Sequence, residues 1–206
     1  MAHAIGKAMA RFHRKDRFAR SGKTIPRLWL FTDERMGEDR LLRALSRLGP
    51  GSGVVFRHYG LPRKERDALF ARVRAIARRR RLVLLTGGDA GGMLGPLHAG
   101  GVHRPGWQMA GKPARRAFPA HLLSGAAHDR RDLVSAHRIG ADLVFLSPVF
   151  ATRSHPGARC LGPLRFGLLA RYSRIPVIAL GGMNEQRYRR MQALGAHGWA
   201  AIDALT

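Results

Sequence analysis

Two glycines, Gly181 and Gly182, stand between an apolar run, Val177 to Leu180, and a helical stretch whose expected cap is Asn184. Without side chains, such residues let backbone amides approach an anion, and the amino end of a helix adds favourable potential. The same pair also reads as a plain tight turn. A second set of donors lies upstream in Ser147-Pro148-Val149-Phe150-Ala151-Thr152-Arg153-Ser154-His155, where hydroxyls and cations follow another apolar run. Those groups suit phosphate oxygens, while Pro148 and Pro156 suit an ordinary surface loop. Other chemistries fail on spacing. No two histidines sit four residues apart, so no helix face offers a pair of imidazole ligands. Cys160, the single cysteine, has no base beside it in sequence and no partner for a disulfide, usage that fits a reducing compartment such as the cytoplasm.

A length of 206 residues allows one domain of ordinary size, and 45% apolar with 24% charged residues is globular composition, which excludes wholesale disorder. The formal net charge is +24, and all but five of the 37 basic residues are arginines spread along the chain. A dedicated nucleic-acid protein would gather them into a stripe with interleaved aromatics. Here the densest run, Arg78 to Arg81, closes an expected helix, where cations complement the negative end of the dipole. Such a field favours small phosphate-bearing substrates and nonspecific polyanion binding alike. The longest apolar run, Leu143 to Phe150, is strand-length, so no membrane partner is expected.

The elements that must position these groups follow from periodicity. Residues 1–25 carry seven cations against Asp16 and no regular apolar face, and read as a flexible basic extension. After Pro26, eight apolar runs alternate with amphipathic stretches: 28–32, 53–57, 82–86, 101–103, 121–125, 143–150, 176–180 and 199–202. Helices are expected over 38–48, 63–80, 130–139, 164–172 and 185–194, the third ahead of which Asp129 is a cap. Near-continuous apolar strands joined by helices imply parallel pairing with both faces covered. A single α/β barrel of the (β/α)8 TIM type over 26–206 is the natural closure, with a doubly wound open sheet as the structural alternative. The third and fourth units are the weak ones, since Gly91, Gly92, Gly95 and Pro96 disfavour a long helix there.

The order of motifs carries a resemblance. Ser147 to His155 and Gly181-Gly182-Met183 are similar to the strand-six Gly-Pro-Val-Phe-x-Thr-x-Thr/Ser-Lys and strand-seven Gly-Gly-Ile patterns of the thiamine phosphate synthase and thiazole tautomerase family. Leu30-Phe31-Thr32-Asp33, Ala99-Gly100-Gly101-Val102-His103 and Ile139-Gly140-Ala141-Asp142 extend the likeness over nearly everything after Pro26. It implies an enzyme of thiamine biosynthesis that joins a thiazole phosphate to an aminopyrimidine diphosphate, releasing pyrophosphate under magnesium. A metal-independent thiazole tautomerase, or a non-catalytic barrel that binds phosphate ligands or polyanions, is the alternative.

By that resemblance Arg57, Thr152, Ser154, His155, Gly181 and Gly182 bind phosphate, and Asp89 is the one matching magnesium carboxylate. Several positions depart from the family. His155 stands for a lysine, and Val55-Phe56-Arg57-His58-Tyr59 replaces Gln-x-Arg-x-Lys. Gly88 stands for an asparagine, Gln108 for the second magnesium carboxylate, and Asp203 for a serine at the end of strand eight. Such a carboxylate repels a phosphate unless it points away. His128 matches the histidine of the family's Gly-x-Ser-x-His segment, which serves the tautomerases as acid and base; it also reads as a loop histidine ahead of a capped helix. His103 is expected to be a polar lining residue. Limited proteolysis is expected to remove about 25 residues from the amino end and leave a compact remainder.

Overall fold

Runs of Val, Leu, Ile and Phe become strands where both faces are covered, and all eight expected runs do so. In the computed structural model, which describes residues 24–88, 99–108, 120–154 and 157–205, they form one closed parallel barrel in sequence order. The strands are β1 (Leu28–Phe31), β2 (Gly53–Phe56), β3 (Val83–Gly87), β4 (Gly101–Arg104), β5 (Leu122–Ala127), β6 (Leu143–Leu146), β7 (Val177–Leu180) and β8 (Gly198–Ala201). Pairing of Leu28 with Trp199 and of Leu30 with Ala201 joins β1 to β8 and sets aside the open sheet. Five α-helices lie among the described residues: α1 (Glu38–Arg47), α2 (Arg63–Arg80), α3 (Arg130–Arg138), α4 (Gly162–Tyr172) and α5 (Glu185–Ala193). Asp129 and Asn184 cap α3 and α5, accepting from the amides of Asp132 and Arg187. No helix among the described residues is long and apolar enough to cross a membrane.

The barrel interior is packed with rings. Trp29 and Phe31 of β1 meet Phe145 of β6 edge-on at 5.2 and 4.7 Å between centroids. His103 of β4 completes the stack, 5.5 Å from Phe31 and 5.4 Å from Phe145. Trp29 needs the room that Gly53 leaves on the neighbouring strand, since a Cβ there would overlap the indole, and its Nε1 donates to Pro26 O at 2.8 Å. Outside the barrel, Leu41, Leu45, Phe70 and Val73 of α1 and α2 cover β1 to β3, while Leu133, Phe166 and Met191 of α3 to α5 cover the other side.

One strand is shorter than its apolar run. β6 ends at Leu146 and not at Phe150, because Pro148 has no N–H to donate to a ladder. Val149 and Phe150 instead donate to Leu180 O and Gly181 O, so the run continues as a loop packed on the exit of β7. The basic extension up to residue 23, the glycine-rich stretch with Asp89, and His155 lie outside the described residues.

His103 is not a lining residue. It is buried inside the barrel, with Nδ1 2.9 Å from Ser124 Oγ, and burial pushes its pKa down to about 3. The folded ring is therefore neutral where the unfolded one, near 6.5, begins to protonate. Its contribution is complete above about pH 6.5 and is lost as pH falls toward the folded value, roughly 2 kcal/mol by pH 5. Urea unfolding of the protein at pH 7.5 and pH 5 should show this loss, and His103→Leu should shrink the difference between the two pH values.

Candidate active site

The carboxyl ends of β1, β2 and β5 to β8 open into one cavity of about 370 Å³, the end at which barrel enzymes place their chemistry. Arg57, His128, Thr152, Ser154, Gly181 and Gly182 all line it. Six expected positions from four strand exits thus meet in one place.

The β7 exit is built from backbone. Gly181 and Gly182 have φ of +93° and +59°, which side chains rarely adopt. Side chains would also collide there, at Gly181 with Pro148 and at Gly182 with the Ala151 carbonyl. The β6 loop and the β7 turn therefore lie directly against each other. Among the described residues no acceptor meets the amides of Gly181, Gly182 or Met183. Backbone N–H groups in such a setting call for a partner, and the amino end of α5 is just beyond. Arg187 closes the outer side, its guanidinium on Gly182 O and 4.5 Å from the Phe150 ring centroid.

Beside that turn lie the hydroxyls. Thr152 Oγ1 accepts weakly from the Ser154 amide at 3.4 Å, and Ser154 Oγ accepts from Arg35 at 2.8 Å, so both hydroxyl protons remain for a ligand. Arg35 also donates to Arg153 O at 3.2 Å, tying the β6 loop to the segment after β1. Behind Arg35 stands Asp33, whose two oxygens take Arg35 Nε at 2.7 Å and Nη2 at 2.9 Å, and Arg57 Nη2 at 3.2 Å. The side-chain bond from Arg35 is the main reason the Asp33 carboxyl titrates below its ordinary range. Arg57 is further fixed by Nε on Thr32 O at 2.9 Å, and burial lowers its pKa while leaving it a cation at neutral pH.

His128 follows β5 directly. Its Nδ1 lies 2.8 Å from Ser147 O, and a carbonyl oxygen can only accept, so Nδ1 carries the proton. In the neutral ring Nε2 is then the basic nitrogen. Asp203 faces the cavity but is not bare: Arg153 meets it at 3.0 Å through Nη2 and 3.3 Å through Nε. Tyr59, at the family's lysine position, lies outside the cavity against Trp107, with 6.3 Å between rings. Arg66 of α2 pins the exits of β2 and β3, donating to Arg57 O at 2.9 Å and Gly87 O at 3.0 Å.

Asp33 and Arg35 are the site residues that sequence reasoning missed, along with the pairing of Arg153 to Asp203. Thr32-Asp33 at a strand end was a signal for the first, but the contact of Arg35 with Ser154 spans 119 positions and leaves no local trace.

A divalent cation finds little here. Among the described residues no group of three His, Cys, Asp or Glu side chains comes together, and Gln108 offers one buried, unpartnered Oε1, a neutral oxygen where magnesium favours carboxylates. The described residues alone do not fit magnesium.

Fold and site together define a (β/α)8 barrel with a cavity lined by hydroxyls, glycines and a guanidinium at the carboxyl ends of its strands. Over residues 28–205 the sequence matches the family described as thiamine monophosphate synthase, and the chain belongs to that family, one of thiamine biosynthesis. It is 30% identical over 194 residues to a thiamine-phosphate synthase of Salinibacter ruber, covering 91% of this chain and 84% of the relative. A thiamine-phosphate synthase of Chloroflexus aurantiacus is 27% identical, with 87% and 84% covered. Among solved structures, a thiamine phosphate pyrophosphorylase from Pyrococcus furiosus superposes with a TM-score of 0.73 at 23% identity, covering 86% of each chain, a likeness of fold.

Because one carboxylate holds two guanidinium groups, Asp33→Asn should cost about 1 to 2 kcal/mol in urea unfolding and loosen the β6 loop. Arg35→Ala should cost less, since that side chain is 52% exposed. Equal losses in the two variants would contradict this arrangement.

Proposed function

We propose that this chain is a thiamine phosphate synthase, joining a thiazole phosphate to an aminopyrimidine diphosphate, with the thiazole phosphate held at the exits of β6 and β7. One observation carries the reading. The acceptor-less amides of Gly181, Gly182 and Met183 share a cavity with the Thr152 and Ser154 hydroxyls and the Arg57 cation. Backbone amides at a helix amino end, two hydroxyls and a guanidinium form a donor set suited to a phosphate. His155 would add a further donor beside Ser154.

In coupling, the ring nitrogen of the thiazole gives its electron pair to the exocyclic methylene carbon of the pyrimidine, and the bond from that carbon to the diphosphate oxygen breaks. The electron pair leaves on pyrophosphate, and no proton changes place. The residues of the chain bind and orient the reactants and place positive charge near the leaving group. Magnesium, with Asp89 as its one expected carboxylate, enters only as a requirement to be tested.

A second reading rests on His128. Coupling gives a base nothing to do, yet His128 presents its ring to the cavity with Nε2 as the basic nitrogen. Such a group can take a proton from one carbon of a thiazole and return it to another, which is the work of a metal-independent tautomerase. The net charge of +24 also attracts polyanions without specificity, an affinity expected to fall steeply with salt.

The test is to supply thiazole phosphate and aminopyrimidine diphosphate with magnesium or with chelator, and to follow thiamine phosphate and free pyrophosphate. Coupling should yield both products in equal amounts, only with magnesium. Chelator-indifferent interconversion of thiazole phosphate tautomers, abolished by His128→Ala, would establish the second reading instead. Phosphate binding without either turnover would overturn both and leave a non-catalytic phosphate-ligand barrel.

A further inference from the structure

The β6 loop is fixed at one side and loose at the other. Its backbone is held by Arg35, which donates to Arg153 O and Ser154 Oγ and is itself gripped by Asp33. Among the described residues, the Arg153 side chain is held from across the cavity mouth, by Asp203. Arg153 is 75% exposed and Asp203 40% exposed, and ion pairs so placed contribute little, because water and salt screen them. The guanidinium can therefore change partner without moving the loop that carries it.

What Asp203 offers Arg153 is two oxygens in one plane, met by Nε and Nη2. A phosphate presents the same fork with more charge. Arg153 and Asp203 both line the cavity that holds Thr152, Ser154 and the β7 turn. Together these contacts point to an exchange: we propose that Asp203 is a built-in stand-in for the ligand anion, and that an incoming phosphate takes Arg153 from it. Arg153 is then a phosphate-binding residue, and Asp203 sets how tightly the site holds its anion. The carboxylate left behind is not stranded, because Arg35 stands close enough to feel its charge. This inference rests on the phosphate reading of the same cavity and adds the identity of a ligand side chain and its internal competitor.

The pairing separates this from simple repulsion. If Asp203 only repelled anions, or if Arg153 only neutralised it, exchanging the two residues would preserve both the charge and the pair. If Arg153 leaves Asp203 for the phosphate, position 153 must be the cation.

The experiment is calorimetric titration of the full chain with inorganic phosphate, at one pH and one ionic strength, with thermal unfolding to check that each variant is folded. Asp203→Ser should tighten binding about two- to fivefold, the range expected for removing a weak exposed pair. Arg153→Ala should weaken it about tenfold, as for loss of one charge-assisted bond. The exchanged double variant, Arg153→Asp with Asp203→Arg, should unfold like the wild type yet bind phosphate no better than Arg153→Ala. Wild-type affinity in the exchanged variant, or no weakening in Arg153→Ala, overturns the inference while leaving the phosphate site standing. Absence of phosphate binding by every folded variant overturns the site reading and the inference with it.

Discussion

A closed barrel of eight short strands is stable only around a filled interior, and here the filling is aromatic. Trp29, Phe31 and Phe145 meet edge to face along the axis, and the neighbouring strand makes room for the indole at Gly53. The remaining place in the stack is taken by an imidazole, that of His103, which can stay there only as a neutral ring. Since Phe31 also forms the floor of the cavity and lies 5.3 Å beneath the Arg57 guanidinium, the packed interior reaches directly into the site. The cavity floor is the upper surface of the core.

On that surface, charge is organised by one carboxylate. Asp33 orients Arg57 toward the cavity and Arg35 toward the β6 loop, so a single side chain links the exits of β1, β2 and β6. The cations at this face are arginines, whose planar forks match carboxylate and phosphate alike and whose charge does not vary over the working pH range. Two of the chain's few acids are so occupied: Asp33 holds Arg35 and Arg57, and Asp203 holds Arg153.

Much of this was legible in the sequence, because parallel strands buried on both faces are written as unbroken apolar runs. The eight runs and five helical stretches mark, within a few residues, the eight strands and the five α-helices found among the described residues, and the caps Asp129 and Asn184 stand where expected. The overrun of β6 has a local cause, since Val149 and Phe150 are apolar for a loop, Val149 buried and Phe150 half-buried by packing at the exit of β7. The glycine turn and the hydroxyl loop were legible because they follow strands, and the barrel brings strand exits to one rim. The Asp33 to Arg35 to Ser154 link was not, because side-chain partners more than a hundred residues apart are chosen by the closed barrel and leave no spacing rule behind. Asp203 shows the same limit. Sequence reveals a charge of the wrong sign for a phosphate, and only the fold places Arg153 against it.

The contact between Gly182 and the Ala151 carbonyl bears on how such a barrel can diversify. Two loops that touch backbone to backbone cannot be lengthened or rebuilt one at a time. A lineage that inserts residues after the sixth strand must reshape the turn after the seventh in the same step, or lose the close fit of both. The departures from the family pattern at Val55, Tyr59 and Gln108 lie on or after other strands, away from that contact. The exits of the sixth and seventh strands therefore change together or not at all.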